Sequence, residues 1–124
     1  MHITINEENP LPLYTQIANS IKEIIRDGEL KPGNYLPSVR NLAKELRVNL
    51  HTVHKAYQEL NNESVIILRS GQRAKVASLR YMPATREEIE IKILPKLDEL
   101  ITEAYYLGIS KAELKMLLEE ALNK

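Results

Sequence analysis

Leu36-Pro-Ser-Val-Arg-Asn-Leu-Ala-Lys-Glu-Leu-Arg-Val-Asn-Leu-His-Thr-Val-His-Lys-Ala-Tyr-Gln-Glu-Leu60 is the stretch that decides how this chain folds. It reads as two short helices joined by a tight turn. In the first, Val39, Leu42, Ala43 and Leu46 recur at helical spacing; in the second, Val53, Ala56, Tyr57 and Leu60 do the same. Small Ala43 and Ala56 let the two helices cross closely, and Val48 stands where it can plug the corner. Ser38 and Asn49 each precede a helix with a side-chain oxygen able to accept a free backbone N–H. What is left on the second helix points outward: Leu50, His51, Thr52, His54 and Lys55. A helix-turn-helix offers that part of its second helix to base edges in the major groove. An ordinary αα-corner has the same apolar pattern, so the flanks must decide between the two.

The flanks favour a winged helix. Val65-Ile-Ile-Leu-Arg69 is β-branched and apolar and predicts a strand; Ala74-Lys75-Val76-Ala77 alternates and predicts a returning one. Ser70-Gly71-Gln72-Arg73 is the turn between them. The tip of this ribbon, with Gln72, Arg73 and neighbouring Arg69 and Lys75, is placed to reach phosphates or an adjacent minor groove. A solvated hairpin kept soluble by its charges is the plain alternative.

Upstream, a helix opens near Pro12, carries Leu13, Ile17, Ile21, Ile24 and Ile25 on one face, and stops at Gly28. The start through Asn9 reads as a flexible arm or a short strand. Downstream, Thr85-Arg-Glu-Glu88 matches a capping box. The helix behind it carries Ile89, Ile93, Leu97, Leu100, Ile101, Ala104 and Leu107, with Pro95 predicting a kink. Ser110-Lys-Ala-Glu113 is a second capping box, opening a last helix with Leu114, Leu117, Leu118, Ala121 and Leu122 on one side. Such short helices need a partner surface for their apolar faces. That partner is the winged-helix body or the same tail of a second subunit. We expect a homodimer joined through Ile93, Leu97, Leu100, Ile101, Leu107, Leu114, Leu117 and Leu118. The fold class is thus mainly α (α+β). A winged helix-turn-helix domain over residues 10–78, with recognition helix 49–61 and wing 65–77, precedes a two-helix dimerisation tail over 79–124.

Charge supports this division. The chain has 17 Lys and Arg against 17 Asp and Glu, so only their distribution carries information. Between Arg40 and Lys75 seven cations stand against three carboxylates; from Leu79 onward seven stand against nine. The basic excess lies where DNA contact is expected. With no cysteine there is neither a disulfide nor a thiolate metal site, and His2, His51 and His54 make no convincing ligand set. No apolar run approaches membrane-spanning length, and the start lacks the basic and apolar regions of a secretory signal. The expectation is a cytoplasmic protein without metal or cofactor. No nucleophile–base set or phosphate-binding glycine loop argues for an enzyme. Two non-enzymatic rivals stand beside DNA binding. One is a winged-helix adaptor acting through protein contacts. The other is a small-molecule sensor with a cavity between its tail helices, although little that is polar converges there and no effector can be named.

Several segments carry a family resemblance. Pro12-Leu-Tyr-Thr-Gln-Ile17, Gly28-Glu-Leu-Lys-Pro-Gly33, Leu36-Pro-Ser-Val-Arg40, Thr52-Val53 and Ala56-Tyr57-Gln-Glu-Leu60 closely resemble the GntR family of transcription regulators, over about Pro12 to Val76. The short tail resembles that of the YtrA subfamily. The resemblance implies a dimeric winged helix-turn-helix repressor bound to a two-fold related double-stranded operator. By position it implies that Ser38 and Arg40 hold backbone or base, and that Asn49, His51, Thr52, His54 and Lys55 line the groove. It further implies that Gly71 lets the wing tip approach closely. The chain also departs from its relatives. Leu50 and His54 stand where relatives often have guanine-reading arginines, so an A·T-richer site with Leu50 against a thymine methyl is expected. Arg73 replaces a frequent second wing glycine, and Ser64 replaces a glycine before the first strand.

Overall fold

Ile17, Ile21 and Ile24 form one buried stripe on the first helix, α1 (Leu13–Arg26), with Pro12 at its N-cap where the missing N–H costs nothing. α2 (Val39–Leu46) and α3 (Leu50–Asn62) follow as the two helices of the corner. Both are capped as their sequence requires: Ser38 Oγ accepts from Asn41 N at 3.0 Å, and Asn49 Oδ1 accepts from His51 N at 2.8 Å. α1 and α2 each pack on α3. The enclosed core holds Ile17, Ile21, Leu36, Leu42, Val53, Tyr57, Leu60 and Ile66, all fully buried. Each such side chain contributes about 1.5–3 kcal/mol relative to exposure. Val48 packs against the edge of this core, closing the corner. The computed structural model describes residues 1–78, 80 and 82–124.

Four helices end in the same way. After α1, Glu29 N donates to Ile24 O and Gly28 N to Ile25 O; after α5, described below, Ile109 N donates to Ala104 O and Gly108 N to Tyr105 O. This is the Schellman arrangement, which needs one residue in the left-handed region. Gly28 and Gly108 supply it at no steric cost. After α2 and α3 the same bonds run from Val48 N to Ala43 O and from Val65 N to Leu60 O. There the left-handed positions are held by Arg47 (φ 57°) and Ser64 (φ 61°).

The wing is shorter than its apolar run predicts. Its strands are β1 (Ile66–Ile67) and β2 (Lys75–Val76), antiparallel with Ile66 opposite Val76. The chain ahead of α2 lies along the far side of β2: Tyr35 bridges Lys75, Leu36 N donates to Ala74 O at 2.8 Å, and Val76 N donates to Asn34 O at 2.8 Å. Asn61 of α3 accepts from Leu68 N, tying the recognition helix to the outgoing limb.

The N-terminal residues are neither a loose arm nor a strand. Ile3 is buried in the core, with Met1 and Ile5 against it. The buried carboxamide of Gln16 accepts from Asn6 N at 2.8 Å and donates to the carbonyls of Asn6 and Leu11. A fully satisfied buried amide fixes the segment, which the apolar pattern alone could not reveal.

Residues Met1–Arg80 form one compact unit and Tyr81–Lys124 another. In the second, Pro95 does more than kink a helix: it divides it into α4 (Arg86–Lys92) and α5 (Leu94–Tyr106), with Ile93 between them at φ −111°. The proline then sits in the first turn of α5, where it has no N–H to lose. Thr85 and Glu88 form the complete capping box, whereas at α6 (Lys111–Leu122) the Ser110 half is formed, Ser110 Oγ accepting from Glu113 N. Among the described residues of this unit Ala104 is the one buried. Leu97, Leu100, Ile101, Leu114 and Leu118 of α5 and α6 line an open apolar groove of about 280 Å3.

Candidate nucleic-acid interface

α3 divides cleanly by face. Val53, Ala56, Tyr57 and Leu60 are buried, while Leu50, His51, His54 and Lys55 are exposed and Thr52 is half-buried. The apolar face is inside because burial dominates the stability of a short helix; the polar face is therefore the one offered outward. Leu50 begins the helix and is 41% exposed, an apolar side chain among polar neighbours. The Asn49 oxygen is occupied as the cap, which leaves its amide nitrogen as the outward donor.

Two further elements frame this helix. Ser38 and Arg40 stand exposed at the start of α2, and Gly71 (φ 75°) and Gln72 stand exposed at the wing tip, where Gln72 N closes the turn on Arg69 O at 3.1 Å. Between α2 and the wing lies a cleft of about 310 Å3 bordered by Ser38, Val39, Leu68, Gly71, Gln72 and Arg73. Tyr57 forms part of its wall and donates its hydroxyl to Pro37 O at 2.7 Å. Burial pushes the Tyr57 hydroxyl above the ordinary phenol range, against a smaller opposing pull from Arg73, so it serves as a neutral donor.

The candidate face carries cations that are not taken up in ion pairs. The ion pairs include Met1 amine–Glu29, Lys22–Glu63, Arg26–Asp27 and Arg86–Glu90, outside the helix-turn-helix face. Arg40, Lys44 and Arg47 make none. Unpaired cations on an exposed surface suit a polyanion.

Two cations have roles that their sequence positions do not disclose. Lys55 places its ammonium 4.1 Å from the centre of the Tyr14 ring, a cation–π contact that holds it between α3 and α1. Arg73 turns back to the body instead of extending from the wing: a guanidinium N–H donates to Leu36 O at 3.1 Å, and the group lies 5.3 Å from the Tyr35 ring centre. No local pattern in the sequence marks Tyr14 or Tyr35 as a residue that receives a cation from a distant element. Among the described residues no group of His, Asp or Glu is arranged to hold a metal, and no helix is long and apolar enough to cross a membrane.

A two-helix corner, an outward polar helix and a trailing two-stranded ribbon define a winged helix-turn-helix protein. Residues 13–76 match the family described as bacterial regulatory proteins, gntR family, and the chain belongs to that family. It is 33% identical over 118 residues to the HTH-type transcriptional repressor YtrA of Bacillus subtilis, covering 95% of this chain and 90% of that one. A transcriptional antiterminator from Listeria monocytogenes superposes with a TM-score of 0.85 at 35% identity, over 98% of this chain and 90% of that one. The DNA-binding domain of AraR in complex with operator ORE1 superposes with a TM-score of 0.53 at 26% identity, over 62% of this chain and 94% of that one. The chain is a transcription regulator of the GntR type, with its resemblance to YtrA running almost end to end.

Proposed function

We propose that this protein is a repressor that binds a two-fold related DNA operator as a homodimer in the cytoplasm. The observation that carries the reading is the outward face of α3, where Leu50, His51, His54 and Lys55 stand exposed. Thr52, the Asn49 amide and the exposed start of α2 (Ser38, Arg40) extend the same surface, and Gly71 and Gln72 at the wing tip complete it. Base readout falls to the first turns of α3, and phosphate contact to Arg40 and the neighbouring cations. His51 and His54 offer ring nitrogens to base edges or phosphates.

The homodimer is proposed from the second unit. Ile93, Leu97, Leu100, Ile101, Leu107, Leu117 and Leu118 are each at least 40% exposed, and Leu114 is half-buried. So many exposed or half-buried apolar side chains, five of them lining one groove, call for a partner in so small a unit. A second copy fits because it presents the same surface in return.

The test is in vitro selection of duplexes with the purified protein, followed by titration at several salt concentrations. We expect recovery of an inverted repeat with half-sites about one DNA turn apart. Arg40→Ala should weaken binding strongly. A protein that ignores duplex DNA at low ionic strength, or an Arg40→Ala variant that binds as well as the parent, would overturn the reading in favour of a protein adaptor.

A further inference from the structure

Arg73 lies at the wing tip beside Gly71 and Gln72, where an arginine would ordinarily be assigned to a phosphate or to the minor groove. Its surroundings point elsewhere. Leu36 is fully buried, and the returning limb of the wing uses both of its backbone polar groups. Its N–H donates to Ala74 O at 2.8 Å, and its carbonyl accepts from Arg73 at 3.1 Å. The Tyr35 ring, 57% exposed, lies beneath the guanidinium. The next carbonyl, that of Pro37, accepts from Tyr57 of the recognition helix at 2.7 Å. Ser38, which caps α2, follows directly. The strap Tyr35–Ser38 is therefore held from one side by the wing and from the other by α3, and it leads straight into the start of α2.

We propose that Arg73 is a positioning residue: by gripping Leu36 and Tyr35 it holds the wing tip at a set distance from the start of α2. The Gly71–Gln72 tip then approaches the duplex at the correct height while Arg40 meets its own contact. An arginine suits this because its planar group can stack on a ring and donate in its own plane at the same time. A glycine here would leave the backbone bonds between strap and β2 in place but remove the one side-chain grip of the wing tip on Leu36 and Tyr35. The inference rests on the DNA-binding reading above, and it departs from the assignment of Arg73 as a DNA contact.

The experiment compares Arg73→Gln, Arg73→Lys, Tyr35→Leu and the Tyr35→Leu/Arg73→Gln pair with the parent, on a duplex selected by the parent. Each is titrated across a range of salt, with thermal melting as the check on folding. We expect Arg73→Gln to lower affinity about tenfold, the size usual for coupled neighbours, and Arg73→Lys, which keeps the charge but not the planar fork, to lose most of it as well. The slope of log K against log salt should stay unchanged. Tyr35→Leu should reproduce much of the effect, and the pair should cost little more than Arg73→Gln alone. A slope that falls by about one per subunit in Arg73→Gln would make Arg73 a phosphate contact and overturn the proposal. So would additive effects in the pair, or parental affinity in Arg73→Gln. If Arg73→Gln fails to fold, Tyr35→Leu carries the decision, and parental affinity in that variant overturns the proposal. Failure of the DNA-binding reading itself is seen separately, as a parent protein that retains no duplex.

Discussion

At the scale of single residues, the informative positions are those that break a local rule. Arg47 and Ser64 occupy left-handed backbone at the ends of α2 and α3, where glycine carries no penalty. An L-residue there costs about 1–2 kcal/mol. Arg47→Gly and Ser64→Gly should therefore each raise stability by about 1 kcal/mol, read as a higher Tm in thermal melting; an unchanged or lower Tm in both would refute this account. The Ser64 position is marked in advance only by the family resemblance, in which relatives have a glycine there. The orientations of Lys55 and Arg73 are not. Each depends on an aromatic ring from a different element, Tyr14 in one case and Tyr35 in the other, and a side chain's direction at a surface is set by such distant neighbours. The same holds for Gln16, whose three hydrogen bonds reach residues that become adjacent only after folding.

At the scale of elements, periodicity and capping chemistry were sufficient for the helices. Ser38, Asn49, Thr85 and Ser110 each cap the helix that their position announces. The wing was less legible, since its apolar run extends well beyond the paired residues Ile66–Ile67 and Lys75–Val76. Partial burial against the core keeps Val65 and Leu68 apolar without their joining the ladder. Pro95 was read as a bend and is a break. A proline inside an unbroken helix costs about 3 kcal/mol, more than interrupting the chain for one residue at Ile93. Pro95→Ala should fuse α4 and α5 into one helix. The measurement is amide hydrogen exchange: the new N–H at position 95 should be protected through a bond to Ile91 O. An amide there that exchanges as freely as an exposed loop would show that the break has another cause.

At the scale of the whole molecule, the two units differ in how far each satisfies its own surface. The first buries a contiguous core, whereas the described part of the second buries Ala104 and leaves Leu97, Leu100 and Ile101 at 40–55% exposure. Leu97→Asp or Leu117→Asp should convert a dimer to monomer in analytical ultracentrifugation, because a carboxylate cannot be buried unpaired at such a contact. A variant that still sediments as the parent does would exclude this face as the interface. That α5 and α6 carry apolar sides was legible in the amphipathic pattern, whereas the groove between them depends on where Gly108 turns the chain.

The exposed leucines of the second unit also have a consequence for how such a protein behaves in a living cell. A lone subunit would carry them into water, where they invite proteolysis and clumping. With association through this face, occupancy of a target gene would fall more steeply than copy number as growth dilutes the pool. The regulator would thus act as a threshold device, without any added ligand.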